Sequence, residues 1–156
     1  MNISKLTPRD VDEFSRLVTD VIQNTPYYSE WGRISECSGY KFESIKNRML
    51  DKNFLFLAAK INKRIVGFSA GHHDFGTFWL DWIGIDKNFR KRCIGTGLLV
   101  FLEKYLKGKG VHKIWLDTIQ TNNEAINFFR KAKFKRICSL KNHWYNQDFY
   151  LWGKFL

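Results

Sequence analysis

The stretch from Phe78 to Ile119 constrains the fold more than any other part of this chain. An apolar run, Phe78 to Ile85, ends in a loop of cations and small residues, Asp86-Lys87-Asn88-Phe89-Arg90-Lys91-Arg92-Cys93-Ile94-Gly95. A helix-type pattern follows from Thr96 to Lys107, with Leu98, Leu99, Leu102 and Leu106 on one face and Gly108 and Gly110 to stop it. A second strand-type run covers His112 to Ile119. Strands joined through a helix run parallel, with a right-handed crossover. The basic turn between strand and helix offers a row of backbone N–H groups at a helix N-terminus, an arrangement that receives phosphate.

The remaining elements are placed by periodicity. Asn2 to Leu6 predicts a strand, and Thr7-Pro8-Arg9-Asp10 starts a helix carrying Val11, Phe14, Leu17, Val18 and Val21 on one face. Asn24 to Gly39 reads as irregular and aromatic, and Phe42 to Leu50 as a second helix. Phe54 to Ile61 and Ile65 to His73 form a hairpin across Asn62-Lys63-Arg64. A helix over Asn123 to Lys133 and strands over Phe134 to Ser139 and Gln147 to Phe155 complete the chain. The expected architecture is one α/β domain over residues 1–156. Its mixed, mostly antiparallel sheet has six to seven strands, two of them parallel, and helices on both faces.

Composition narrows the function. The 156 residues are 44% apolar and 17% aromatic, which suits one folded core. No apolar run approaches the ~20 residues of a membrane span. The N-terminus lacks a secretory pattern, so a cytoplasmic setting is expected. Cys37, Cys93 and Cys138 suggest reduced thiols rather than a disulfide framework. His72-His73-Asp74 closes a strand without a third metal ligand at usual spacing, so no metal is expected. The net charge of +11 is unevenly placed. Residues 1–86 hold 11 Lys+Arg and 11 Asp+Glu, so the remaining 15 and 4 give residues 87–156 the whole excess. A polyphosphate ligand explains part of it. No aromatic-basic motif supports nucleic acid, which would also demand steep salt dependence.

The loop is neither a nucleotide P-loop nor a dinucleotide fingerprint. It resembles motif A of the GNAT superfamily of N-acetyltransferases, Gln/Arg-x-x-Gly-x-Gly/Ala after a strand. Arg90 opens that motif here, Leu98-Leu99 begins its helix, and Cys93 stands at the first glycine. A second register, Arg92 to Gly97, restores both glycines but shifts the flanks. Asn122-Asn123-Glu124-Ala125-Ile126-Asn127-Phe128-Phe129-Arg130-Lys131-Ala132-Lys133-Phe134 resembles the family's Asn-x-x-Ala-x-x-x-Tyr-x-x-x-Gly-Phe. The resemblance covers residues 54–156, while residues 1–52 form the variable acceptor side.

The resemblance implies a domain that binds acetyl-coenzyme A and acetylates a primary amine by direct attack. Ile83, Gly84 and Ile85 would pair with pantetheine beyond a splay after Ile85. Arg90, Lys91, Arg92, Cys93, Ile94, Gly95, Thr96 and Gly97 would surround the diphosphate, and Asn122 and Phe128 would touch the pantetheine arm. Direct attack needs a base for the amine. Asp117 is one candidate, and Asp81 the other. Period two puts Asp81 on the face shared with Trp79 and Ile83. Phe129 stands where the family has a thiolate-protonating tyrosine, which leaves Tyr145 and Tyr150 as replacements. Tyr27, Tyr28, Trp31 and Tyr145 would line the acceptor pocket. The acceptor is a small molecule or a protein, and the basic half would repel a polycation. A homodimer is an open possibility. A sensor that binds acyl-coenzyme A without turnover is the alternative.

Overall fold

A computed structural model describes residues 1–156. The chain order is β1 (Asn2–Lys5), α1 (Val11–Gln23), α2 (Glu30–Gly39), α3 (Phe42–Met49), β2 (Phe54–Ile61), β3 (Arg64–Asp74), β4 (Thr77–Ile85), α4 (Ile94–Lys107), β5 (Lys113–Ile119), α5 (Asn123–Lys131), β6 (Lys135–Leu140) and β7 (Phe149–Phe155). Seven strands form one sheet in the order β1-β2-β3-β4-β5-β7-β6. Only β4 and β5 pair in parallel.

Local chemistry accounts for these elements. Asn62 and Lys63 both adopt positive φ, 49° and 68°, so the β2–β3 hairpin closes on a two-residue turn whose twist matches the strands. Pro8 opens a short 3-10 turn that leads into α1, whose buried stripe includes Phe14, Val18 and Ile22. That stripe packs with α2, α3 and one sheet face around Phe56, Phe68 and Ile45. The other face is covered by α4 and α5 through Leu98, Leu102, Leu106, Ile126 and Phe129. Both layers thus share one sheet, and each buries its apolar stripe against it.

The fold departs from the sequence reading in three places. Glu30 to Gly39 is helical, not irregular. Ser29 caps it by accepting from the Gly32 N–H at 3.1 Å, a start signal hidden among aromatic residues. Second, Asp81 does not follow period two. Ala70 pairs with Trp82 and Gly71 with Leu80, which leaves Asp81 as the extra residue of a β-bulge. Trp82 therefore packs on the α1–α3 face and Ile83 on the α4 face. Third, the splay comes earlier than Ile85. The parallel ladder stops at Trp79–Trp115, two residues before the bulge. A cleft opens between β4 and β5 from there on.

Candidate active site

The cleft is a cavity of about 720 Å3. Its walls are Leu80 to Ile85 of β4 and Leu116 to Ile119 of β5. One end is the β4–α4 loop with the start of α4; the other holds Tyr27 and Tyr28 from the α1–α2 segment. Tyr28 bridges the open fork: its ring lies 5.4 Å from Trp82 of β4 and 6.2 Å from Phe149 of β7. At Gly84 a Cβ would sit 2.5 Å from the Phe68 ring and 2.9 Å from Val21, so only glycine lets α1 and β3 close under this wall.

The loop end is built to expose backbone donors. Asp86 accepts from the Asn88 N–H at 2.9 Å and pairs with Arg64 at 2.7 Å, which fixes the turn leaving β4. Lys91 and Cys93 then take left-handed φ values of 59° and 58°. The first hydrogen bond of α4 runs from the Gly97 N–H to the Cys93 carbonyl at 3.0 Å. The amides from Arg90 to Thr96 donate to nothing in the protein. This concave row, at the positive end of a helix dipole, suits a multiply charged anion.

Arg90, Lys91, Cys93, Ile94, Gly95 and Thr96 line the cavity together with Ile83, Gly84, Ile85, Asn122 and Phe128. Two expected loop residues do not. Arg92 turns its guanidinium onto the Phe89 ring, 5.2 Å away. Gly97 faces β1, where a Cβ would meet Met1 at 2.9 Å, and its N–H is already bonded inside the helix. Cys93, which the resemblance puts at the motif's first glycine, takes the left-handed conformation that glycine favours. Asn122 caps α5 by accepting from the Ala125 N–H at 3.0 Å, which leaves its side-chain N–H groups for the cavity.

The two candidate acids sit on opposite arms of the fork. Asp117 on β5 accepts from Trp144 Nε1 at 2.9 Å, with His143 Nε2 at 3.9 Å. Burial is the main cause that pushes its carboxyl up to about 6, and the negative charges of Glu36 and Asp81 add to it. Asp81, on the β4 bulge, faces His72 at 3.3 Å and raises that imidazole above its usual pKa. His73 instead packs on Phe78 at 5.3 Å. Phe129 is buried against Phe134 and carries no donor. Tyr150 packs on Trp152 and Arg136, in the last strand pair.

The acceptor-side residues are not all equivalent. Tyr27 and Tyr28 line the cavity, whereas Trp31 and Tyr145 meet edge to face at 5.2 Å just outside it. Glu36, which the sequence reading passed over, ties this region together. It accepts from Trp82 Nε1 at 2.8 Å and from the Tyr145 hydroxyl at 2.6 Å. Burial first, and then the Glu36 carboxylate, push Tyr145 up to about 12. The signal available was indirect: half-buried Trp and Tyr need partners for their polar tips, and Glu36 is the one acid in the aromatic segment beyond Glu30. Gln147 adds a clamp, accepting from the Ser29 N–H at 3.0 Å and donating to the Tyr27 carbonyl at 2.9 Å.

One cavity thus joins a splayed parallel pair, a donor-lined turn between strand and helix, and the half-buried carboxylate of Asp117. A family model described as the acetyltransferase (GNAT) family matches residues 21–134, and the chain belongs to that family. An acetyltransferase of Pectobacterium atrosepticum is 32% identical over 83 residues, 53% of this chain and 59% of that protein. The chain thus spans about three-fifths of the curated relatives it matches. The fold is that of the PaiA N-acetyltransferase of Thermoplasma acidophilum, solved in complex with coenzyme A. The TM-score is 0.86 at 22% identity, over 99% of this chain and 98% of that one. A ribosomal-protein-alanine N-acetyltransferase of Brucella melitensis gives a TM-score of 0.83 at 20% identity over the whole of both chains.

Proposed function

We propose that this protein is an acetyl-coenzyme A-dependent N-acetyltransferase acting on a primary amine. The observation that carries the reading is the unpaired amide row from Arg90 to Thr96 at one end of a cavity that also holds the Asp117 carboxylate. The amides receive the diphosphate. Arg90 and Lys91 supply positive charge, Ile83 to Ile85 offer strand-edge groups to the pantetheine amides, and Asn122 and Phe128 flank the arm. When bound, acetyl-coenzyme A supplies a thioester carbonyl and a thiolate leaving group.

Asp117 is the base. Its carboxylate takes the proton of the acceptor ammonium, directly or through one water, and the freed nitrogen attacks the carbonyl carbon. The C–N bond forms, the C–S bond breaks, and the thiolate leaves with the electron pair and takes up a proton. An ammonium and a thioester thus give an amide, a thiol and one proton. The β5-facing N–H groups of β4 beyond Trp79 are free to donate to the developing oxyanion. Phe129 supplies no proton, so the thiolate takes one from water or from the protonated Asp117. Asp81, engaged with His72, orients the acceptor. The free thiols suit a cytoplasmic, reducing setting.

Thiol release from acetyl-coenzyme A with a panel of amines tests turnover. Acceptor-dependent release supports the enzyme, and tight binding without release for any amine supports the acyl-coenzyme A sensor. Gly95→Asp places a carboxylate beside the diphosphate, and a Cβ there already meets Phe128 at 3.2 Å. Calorimetry should show coenzyme A affinity falling by at least a hundredfold; unchanged affinity removes the loop assignment.

A further inference from the structure

Tyr28 carries a polar group that no other part of the protein engages. Its hydroxyl enters no hydrogen bond; only its main-chain carbonyl is used, by Arg33 at 2.8 Å. The other aromatic tips around it are tied: Trp82 and Tyr145 to Glu36, Trp144 to Asp117, and Trp152 to Thr118. A polar tip on a half-buried ring calls for a partner. No sealed-in polar side-chain atom of the protein lacks one, so the Tyr28 hydroxyl opens into the cavity that its residue lines.

The fork fixes where that hydroxyl lies. The cavity passes through the sheet, since Val21 and Tyr28 line it from the α1 face and Ile94 and Phe128 from the α4–α5 face. The Tyr28 ring, between Trp82 of β4 and Phe149 of β7, spans the opening on the side away from the diphosphate turn. Asp117 of β5 is near enough for its charge to act on the phenol, yet no hydrogen bond joins the two. Burial first, and then the charges of Asp117 and Glu36, hold the phenol well above its usual pKa, so it keeps its proton at neutral pH. Other acids at this end are spent or misplaced. Phe129 carries no donor, Tyr145 is held by Glu36 outside the cavity, and Tyr150 packs in the last strand pair. Tyr27 lines the cavity but makes no aromatic contact with either arm.

We propose that the Tyr28 hydroxyl protonates the departing thiolate, from the side of the fork opposite Phe129. This rests on the acetyl-transfer reading. As the C–S bond breaks, sulfur takes the electron pair and the phenolic proton. Protonated Asp117 then returns a proton to the phenolate through one water. The nitrogen gives up two protons in all: one reaches sulfur by way of Asp117 and Tyr28, and the other goes to solvent. A phenol at about 10 is a weaker acid than a thiol at about 8.5, so the first transfer alone runs uphill. The Asp117 carboxyl, at about 6, makes the relay as a whole downhill.

The test uses Tyr28→Phe, which keeps the ring on Trp82 and Phe149 and removes only the hydroxyl. Two readouts are taken. One is kcat and KM for acetyl-coenzyme A and for the best amine of the panel. The other is the pH titration of the coenzyme A thiol bound to the protein, followed by thiolate absorbance against desulfo-coenzyme A, which needs no turnover. In Tyr28→Phe, kcat should fall by about a hundredfold with both KM values kept. A hydroxyl that donates to sulfur favours the thiolate, so the bound thiol should titrate about one pH unit lower in the wild type than in the variant. An unchanged kcat overturns the proposal, and so does a raised acceptor KM with kcat kept, which would make Tyr28 a binding wall. A loss of kcat with identical thiol titrations overturns it too. Absent turnover with every amine, beside a thiol that titrates lower in the wild type, removes the acetyl-transfer reading and leaves the contact between Tyr28 and sulfur standing; absent turnover with identical titrations removes both.

Discussion

At the scale of single residues, Asp117 and Cys93 show how function is set against stability. Asp117 titrates near 6 because burial disfavours its charge. As a base it must be ionised, so the rate should rise with pH through about 6 and level off above. Asp117→Asn should lose that limb and lower kcat by about a hundredfold or more, with coenzyme A affinity kept. The stability sign is opposite to the usual carboxylate case. Its folded pKa lies above the unfolded value of about 3.9, so the native state holds the proton more tightly. Asp117 costs nothing below about pH 4, destabilises increasingly between about pH 4 and about 6, and by a constant amount above that. Asp117→Asn should therefore be more stable than wild type at pH 8, by roughly 1–3 kcal/mol, in urea denaturation. Cys93 holds φ 58° with an exposed side chain. Cys93→Gly removes a steric cost of ~1 kcal/mol and adds a similar unfolded-state entropy, so its melting temperature should stay within a few degrees. Cys93→Val, branched at Cβ, should lose more than about 1 kcal/mol and weaken coenzyme A binding with it. Equal behaviour of the two variants in thermal melts and calorimetry would show that the left-handed turn is not required.

At the scale of elements, the acceptor side is held by contacts distant in sequence. Gln147 joins the α1–α2 segment to the turn before β7 with two hydrogen bonds, each contributing ~1 kcal/mol. Gln147→Ala should raise the acceptor KM by about tenfold and leave coenzyme A affinity alone, because the loop end of the cavity is built from other elements. Steady-state kinetics beside calorimetry separate the two effects. This is also where sequence reading reached its limit. The helix–loop–strand order around α4 was legible, since periodicity and turn chemistry are local. Glu30 to Gly39 hid its helix because its large apolar residues, Trp31 and Ile34, are exposed and only Gly32 and Cys37 are buried, which leaves no apolar stripe to read. The Asp81 bulge was invisible, since a strand reveals an extra residue only against its partner. That one residue moved Ile83 to the other face.

At the scale of the molecule, the +11 charge describes the whole chain rather than its site. Arg90 and Lys91 of the β4–α4 loop line one end of the cavity, while Asp81 and Asp117 line the other, so the cavity is polarised along its length. A sequence-wide count averages the two. The single seven-stranded sheet explains why both ends are positioned together: β4 carries the loop and Asp81, β5 carries Asp117 and leads to Asn122, and the fork between them is the cavity. The amide row was legible because it needs only main-chain atoms at a strand–helix junction. The Glu36 tie was not, because its partners Trp82 and Tyr145 come from β4 and the β6–β7 turn. The account stands on the row of free donors from Arg90 to Thr96. Titration of 15N-labelled protein with coenzyme A reads those amides one by one. The largest shifts should fall on Arg90 to Thr96, together with Ile83 to Ile85 and Asn122. A titration that moves other parts of the surface and leaves Arg90 to Thr96 unchanged contradicts it.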